Sequence, residues 1–248
     1  MITQEVDILF STGDEWPEIT VMVPLYNYEN YICETLDCVA AQTVERLGLV
    51  VVDDHSTDGS AQAVIDWLSR NRDRFPRALL ARNRLNSRLS ITRNTGTALT
   101  QSPLVFFLDA DNHIYPRCVE AHAEALKDSP AKFAYSILEV FGADTGVMGT
   151  EVFLKEHFKK GNYIDAMAMI RRDALVSLGG YLNLKHGWED YELWLRFCEN
   201  GEFGIQVPEI LARYRVHAQS MLRTVTSAEK NYAELRKSML ELHPWLEI

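Results

Sequence analysis

Pro103-Leu104-Val105-Phe106-Phe107-Leu108-Asp109-Ala110-Asp111-Asn112 joins the most apolar run of the chain directly to a pair of carboxylates. A short, unbroken apolar run reads as a strand buried on both faces, as in parallel sheets covered by helices. The same pattern occurs twice upstream. Ile19-Thr20-Val21-Met22-Val23 is a β-branched run closed by Pro24, and Leu47 to Val52 ends abruptly in Asp53-Asp54. Between them Ile32, Leu36, Val39 and Ala40 fall at helical spacing, giving a strand, helix, strand unit whose crossover is right-handed. Apolar strands that end in polar residues and are joined by helices predict an α/β fold with a Rossmann-like, mostly parallel sheet.

Outward from these three strands the signals weaken. Ala61, Val64, Ile65 and Leu68 form a helical stripe preceded by the turn formers Thr57-Asp58-Gly59-Ser60, in which Asp58 reads as a cap or Asx turn. A strand is expected near Ala78 to Ala81, and a helix over Ser90 to Thr100 in spite of Gly96 and its threonines. After Pro116 a helix runs through Lys127, followed by a strand from Lys132 to Phe141. The segment Gly142 to Asp165 mixes glycines with aromatic and basic residues and reads as a long, partly helical excursion of the kind that often carries function. Ala166 to Ile170 reads as a strand, Trp188 to Asn200 as a helix, Phe203 to Val216 as two short strands, and Ser227 to Leu242 as an amphipathic helix. No repeat, low-complexity tract or linker divides the chain.

With 248 residues, 47% of them hydrophobic, the chain has the material for one sizeable core. Its 25 Lys and Arg stand against 35 Asp and Glu, a net charge of -10 that repels polyanions and argues against nucleic acid as a partner. A phosphate-bearing ligand then needs a cation or a local basic pocket. The first residues carry acid where a signal peptide carries positive charge, and no apolar run approaches the roughly 18 residues of a spanning helix. This predicts a cytoplasmic protein without an integral membrane segment. Cysteines 33, 38, 118 and 198 show neither CxxC nor zinc-finger spacing and read as buried, reduced thiols.

In an open parallel sheet, ligands collect beyond the carboxyl ends of the strands, and here those ends carry Pro24 to Asn27, Asp53-Asp54 and Asp109 to Asn112. Four carboxylates at one crevice repel each other unless something positive sits among them. Oxygen ligands suit Mn2+ or Mg2+ better than zinc or copper, and such ions complete their shell with substrate phosphates. A divalent ion holding a diphosphate reconciles an acidic protein with an anionic ligand.

These residues resemble the family 2 glycosyltransferases of GT-A fold, from Ile19 to about Ser220. VMVPLYNYENYICETLDCVAAQT resembles the family's first strand, its Pro-x-Tyr-Asn turn and the following helix, and LGLVVVDDHSTDGS its second strand and DDGSTDGS segment, with His55 where Gly is usual. ITRNTGTAL, FFLDADN as the DxD motif, AMIRRDALVSLGGY, GWEDYELWLR and YRVHAQS follow in order. The resemblance implies a single GT-A domain over 1–248: a nucleotide-sugar-binding half over 19–112, a mixed acceptor-binding half over 113–220, and a C-terminal helix within 221–248. It places Pro24, Tyr26 and Asp54 at the nucleobase, Arg93 and Asp109 toward the nucleotide and sugar, and Asp111 on the metal. Asp190 matches the general base and His217 a histidine that in some members reaches the metal or diphosphate. The reaction implied is transfer of a sugar from a nucleoside-diphosphate sugar donor to a hydroxyl acceptor, such as a glycan or lipid-linked sugar, with inversion.

Glu189 and Trp188 are assigned to the acceptor side. Like-charge repulsion between Glu189 and Asp190 should raise the proton affinity of one carboxylate of the pair, although an acidic pair also suits a helix N-terminus. Trp188 and Trp194 flank the pair, and each reads either as an aromatic face for a sugar or equally as core, with Trp188 slightly favoured for the acceptor. Lys155, Lys159, Lys160, Arg171 and Arg172 form a basic cluster in sequence, either a steering surface for an anionic acceptor or a solvated face. Two other readings compete. A sugar nucleotidyltransferase would carry a Gly-rich basic loop after the first strand, and Pro24-Leu25-Tyr26-Asn27 is not one. A nucleotide-sugar or glycan binding protein without turnover would share the fold, but Asp54, Asp111 and Asp190 together favour an enzyme.

Overall fold

The computed structural model describes every residue except Gln219, and Leu222 by its backbone only. Three parallel strands form its centre: β2 (Ile19–Leu25), β3 (Leu47–Asp53) and β5 (Leu104–Phe107), with β1 (Val6–Thr12) and β4 (Arg77–Asn83) completing that side. The second half adds β6 (His113–Ile114), β7 (Phe133–Gly142), β8 (Gly146–Met148), β9 (Ala168–Arg171) and β10 (Gly204–Val216). They make one sheet in the order β1-β4-β3-β2-β5-β9-β7-β10-β6, with β8 on β7. β4-β3-β2-β5 is parallel throughout, whereas β9 runs antiparallel to both β5 and β7, and β10 parallel to β7. The direction of winding reverses between β2 and β5, so the crevice at their carboxyl ends is the switch point where ligands of such sheets bind.

Successive residues of the central strands face opposite sides. Val21, Val23, Leu49, Val51 and Phe106 pack under α1 (Ile32–Ala40), α2 (Ser60–Arg70) and α4 (Cys118–Lys127). Met22, Val50, Val52, Val105 and Phe107 join a second core with α5 (Arg172–Ser177), α6 (Glu189–Glu199) and α7 (Glu229–Leu242). On this second face α3 (Leu89–Leu99) lies so close to β2 that a Cβ at Gly96 would run into the Met22 side chain, which accounts for a glycine inside a helix.

Three readings change. The segment Phe203 to Val216 is one strand instead of two, because β10 absorbs the missing N–H of Pro208 in register shifts between Val207 and Ala212 and then resumes pairing with β7. β2 continues through Pro24 to Leu25. β1 has no counterpart in the sequence reading; it is a largely exposed edge strand, antiparallel to β4, whose side chains carry little burial signal. The excursion after β7 holds β8 and a 3-10 turn over Lys155–Lys160. Among the described residues no helix is long and apolar enough to cross a membrane.

Candidate active site

The loops after β2 and β3 are tied edge to edge. Asp54 N donates to the Leu25 carbonyl (2.7 Å), Asn27 N to Ser56 Oγ (3.0 Å), Thr57 N to Asn27 Oδ1 (2.8 Å) and Tyr28 N to Ser60 Oγ (2.9 Å). Pro24, Tyr26 and Asp54 are therefore brought to one place, with the Tyr26 ring exposed and Pro24 and Asp54 buried. The Asp54 carboxylate accepts from Asn83 Nδ2 (2.7 Å) and from the backbone N–H of Ser87 and Arg88 (both 2.8 Å). With roughly four acceptor positions on a carboxylate, most of its capacity organises the 83–88 loop, and about one position remains for a ligand. His55 takes the left-handed conformation (φ 65°) that glycine adopts freely, with Nδ1 3.2 Å from the Asn83 carbonyl. Asp58 is a turn residue, accepting from Ser60 N and Glu29 N.

The carboxylates after β5 are fixed from both flanks. Thr35 Oγ1 on α1 donates to the carbonyls of Ala110 (2.9 Å) and Asn112 (3.0 Å). From the end of β10, Arg215 N donates to Asn112 Oδ1 (2.8 Å) and Arg215 Nε to the Asp111 carbonyl (2.9 Å), and His217 Nε2 lies 2.9 Å from Asp111 Oδ2. Tyr28 and Tyr31 pack about the His217 ring, at centroid distances of 5.9 and 5.0 Å. Loss of water pushes the Asp111 carboxyl up, the nearby charge of Asp109 adds to this, and His217 opposes it.

Arg93 and Glu189 sit differently from their sequence assignments. Arg93 is 1% exposed; its Nη2 donates to Asp109 Oδ1 (2.7 Å) and its Nη1 to Glu189 Oε1 (2.5 Å), while the guanidinium lies over the Tyr181 ring. Both terminal nitrogens are thus committed to carboxylates from two elements, and Arg93 joins the end of β5 to the start of α6. Glu189, placed by sequence on the acceptor side, instead turns inward to this guanidinium and is 4% exposed. A buried carboxylate needs a partner, and Arg93 is that partner.

Asp190, one residue on, is only partly buried. Its Oδ1 accepts from Tyr191 N (2.8 Å) and its Oδ2 from Asn162 Nδ2 (3.0 Å). Burial raises its proton affinity, and Glu189 raises it further, against Arg93 and the Tyr191 N–H. Asp165 shares this environment: its proton affinity is raised by desolvation and by Asp109 and Asp190, while Oδ1 accepts from Met167 N (2.9 Å). Trp188 precedes the pair in a left-handed conformation (φ 63°), half-buried, edge-on to Tyr191 and Tyr232. Trp194 is core, stacked on Phe133 at 4.3 Å. The basic cluster does not gather. Arg171 donates to the carbonyls of Leu126, Ser129 and Ala131 and Arg172 to that of Thr97, while Lys155 lies over Trp245 and Lys159 pairs with Glu247.

Asp165, Asn162 and Arg215 were not singled out from sequence. Asp165 and Asn162 lie in the irregular excursion, where no period marks a side chain's direction; Arg215 stands near the end of β10, two residues before His217, and that spacing was the available signal. Among the described residues no three His, Cys, Asp or Glu side chains form a metal-holding group. Asp111 and His217 are a pair. The donor set still fits a hard divalent ion, since such ions take one or two carboxylates and complete their shell from phosphate and water. Asp109, Asp111, Asp165, Glu189 and Asp190 outnumber the two guanidiniums, of Arg93 and Arg215, that stand among them.

The family model for glycosyl transferase family 2 matches residues 20–179, and the chain belongs to that family. The putative glycosyltransferase EpsE of Bacillus subtilis is 25% identical over 245 residues, covering 94% of this chain and 87% of that protein. The Escherichia coli enzyme WfaP, a UDP-Glc:α-D-GlcNAc-diphosphoundecaprenol β-1,3-glucosyltransferase, is 22% identical over 208 residues, covering 82% and 79%. Among solved structures, Staphylococcus aureus TarS 1-349 with UDP-GlcNAc superposes with a TM-score of 0.73 at 19% identity, over 91% of this chain and 66% of that one. The mannosyltransferase PcManGT of Pyrobaculum calidifontis with GDP-Man and Mn2+ superposes with a TM-score of 0.68 at 20% identity, over 92% and 66%. This chain is thus a glycosyltransferase with a GT-A fold. Glu189, Asp190 and His217 lie beyond the residues that the family model matches.

Proposed function

We propose that the protein moves a sugar from a nucleoside-diphosphate sugar to an acceptor hydroxyl, with Asp190 as general base and inversion at the anomeric carbon. The observation that carries this reading is the division of labour in the first turn of α6. Glu189 is buried against Arg93, while Asp190 stays partly open beside the ends of the strands. Its raised proton affinity suits a base that works near neutral pH. A single base and a direct displacement invert the centre, through a transition state of oxocarbenium character like that of glycoside hydrolysis.

Tyr26 and the remaining acceptor position of Asp54 receive the base or ribose, and Pro24 lines the wall behind them. Asp111 and His217 would hold Mn2+ or Mg2+, which supplies Lewis-acid neutralisation of the leaving diphosphate. Arg93 keeps Asp109 oriented toward the donor, and Arg215 keeps Asp111 in place through its carbonyl. PcManGT, solved with GDP-Man and Mn2+, supports the divalent ion. The acceptor of WfaP is named as a diphosphoundecaprenol-linked sugar, which supports a lipid-linked or glycan acceptor here, met by Trp188 and the excursion.

Calorimetric titration with UDP, GDP, CDP and dTDP, each with and without Mn2+, tests the donor reading without knowledge of the acceptor. Binding of one nucleotide that strengthens with Mn2+ is expected and names the donor class. Indifference to Mn2+ removes the metal from the scheme, and binding of none removes the nucleoside-diphosphate donor site at Tyr26 and Asp54.

A further inference from the structure

The excursion between β7 and β9 is fastened to the first turns of α6 by three hydrogen bonds. Tyr191 Oη donates to the Phe158 carbonyl, Trp194 Nε1 to the Ile164 carbonyl (3.0 Å) and Asn162 Nδ2 to Asp190 Oδ2 (3.0 Å). Residues 190, 191 and 194 lie on one side of the helix, so one loop segment grips one helix face. The first two bonds hold backbone. The third holds a carboxylate that the proposed chemistry uses.

The Asn162 amide has a fixed sense. Its Oδ1 accepts from Ile164 N at 3.3 Å, which leaves Nδ2 to point at Asp190. Ile164, in turn, is buried in the second core, so the turn that carries Asn162 is anchored at its next apolar residue. An amide nitrogen only donates, and it stabilises a carboxylate acceptor over the neutral acid.

We propose that Asn162 is a positioning residue for transfer: its amide, held by the excursion, grips the Asp190 carboxylate at Oδ2. The role rests on the reading of Asp190 as base. Asp190 stands among groups of both signs. Glu189 on the same helix, Asp109 at the end of β5 and Asp165 at the end of the excursion disfavour its charge, Arg93 on α3 favours it, and the phenols of Tyr181 and Tyr214 complete the surroundings. Burial above all, and then these carboxylates, push the proton affinity of Asp190 up against one guanidinium. Two donors oppose that, Tyr191 N and Asn162 Nδ2, and only the second belongs to the loop that faces an acceptor. The excursion therefore carries part of the base's own machinery.

The experiment is a carbon-13 NMR titration of the full chain labelled at aspartate carboxyls, in which the Asp190 signal is identified by its loss in Asp190→Asn. No donor or acceptor is needed. Asn162→Ala should raise the Asp190 midpoint by about one pH unit, the worth of a hydrogen bond to a charged group. Asn162→Asp, which keeps the size but adds a fourth carboxylate, should raise it further while thermal melting confirms a folded chain. A midpoint equal to that of the parent in either folded variant overturns the proposal, since a merely structural asparagine would not move it. The base reading fails separately: if Asp190→Asn retains sugar transfer, Asp190 is not the base, whatever the midpoint does.

Discussion

Arg93 makes the clearest case at the scale of single residues. Its guanidinium is buried between Asp109 and Glu189, with a third nitrogen, Nε, that has no hydrogen-bond partner among the described residues. Removing it leaves a buried carboxylate uncompensated. Arg93→Met should cost about 3–5 kcal/mol of stability in urea denaturation, and Arg93→Lys should recover little, because an ammonium lacks the planar fork that reaches two carboxylates at once. Asp190→Asn removes a partly exposed group that likes its neutral form, so folding and nucleotide binding should survive. Transfer should fall at least about 100-fold, measured by product formation with the donor that calorimetry selects; normal turnover would move the base elsewhere. The acidic residues of the strand ends were legible because an apolar run that stops at carboxylates is a pattern of residue types. What Arg93 and Glu189 do was not legible, because a charge that turns inward and a charge that turns outward look alike in one dimension. Only the fold shows that residues 96 apart form a pair.

The elements divide along the same physical line. β2, β3 and β5 carry their burial in their composition and were readable; β1 is mostly exposed and was not. α3 was weakly signalled, since Gly96 and the threonines argue against a helix, and the reason lies in its neighbour. Gly96 lets α3 descend onto Met22. Gly96→Ala, a change that would stabilise an isolated helix by up to about 1 kcal/mol, should here destabilise the protein by about 1–3 kcal/mol as the added methyl forces Met22 or the helix aside. A shift of the urea midpoint toward higher stability would show that Met22 has room to move. The excursion was recognisable as irregular, yet its contacts were not, because the turns at Asn162 and Asp165 are built from hydrogen bonds between side chain and backbone and leave no hydrophobic period.

At the scale of the molecule the dominant feature is unbalanced charge. The chain has a net charge of -10, and four of its acidic side chains meet at one crevice. Asp165 and Asp190 bind a proton more tightly folded than unfolded. Between the ordinary carboxylate range and their raised folded values the native state therefore holds more protons than the unfolded one, and stability falls as pH rises through that window. In the absence of divalent cations, melting temperature should decline from mildly acidic pH toward neutrality and level off above the folded values. Asp165→Asn should flatten that decline and raise Tm at pH 7.5 by about 2–4 °C; an unchanged profile would mean that water already neutralises the cost.

The path of β10 has a consequence for how the protein is made. The end of this strand delivers Arg215 to the carbonyl of Asp111 and His217 to its carboxylate, 104 and 106 residues earlier in the chain, and α6 delivers Glu189 to an arginine almost as distant. A nascent chain that has left the ribosome only as far as β9 owns every parallel strand of the nucleotide half, but Arg93 and Asp111 are still without these partners. Contacts so remote in sequence form late, so the crevice closes only when synthesis has passed residue 217. Until then the crevice lacks the groups from α6 and β10 that complete it.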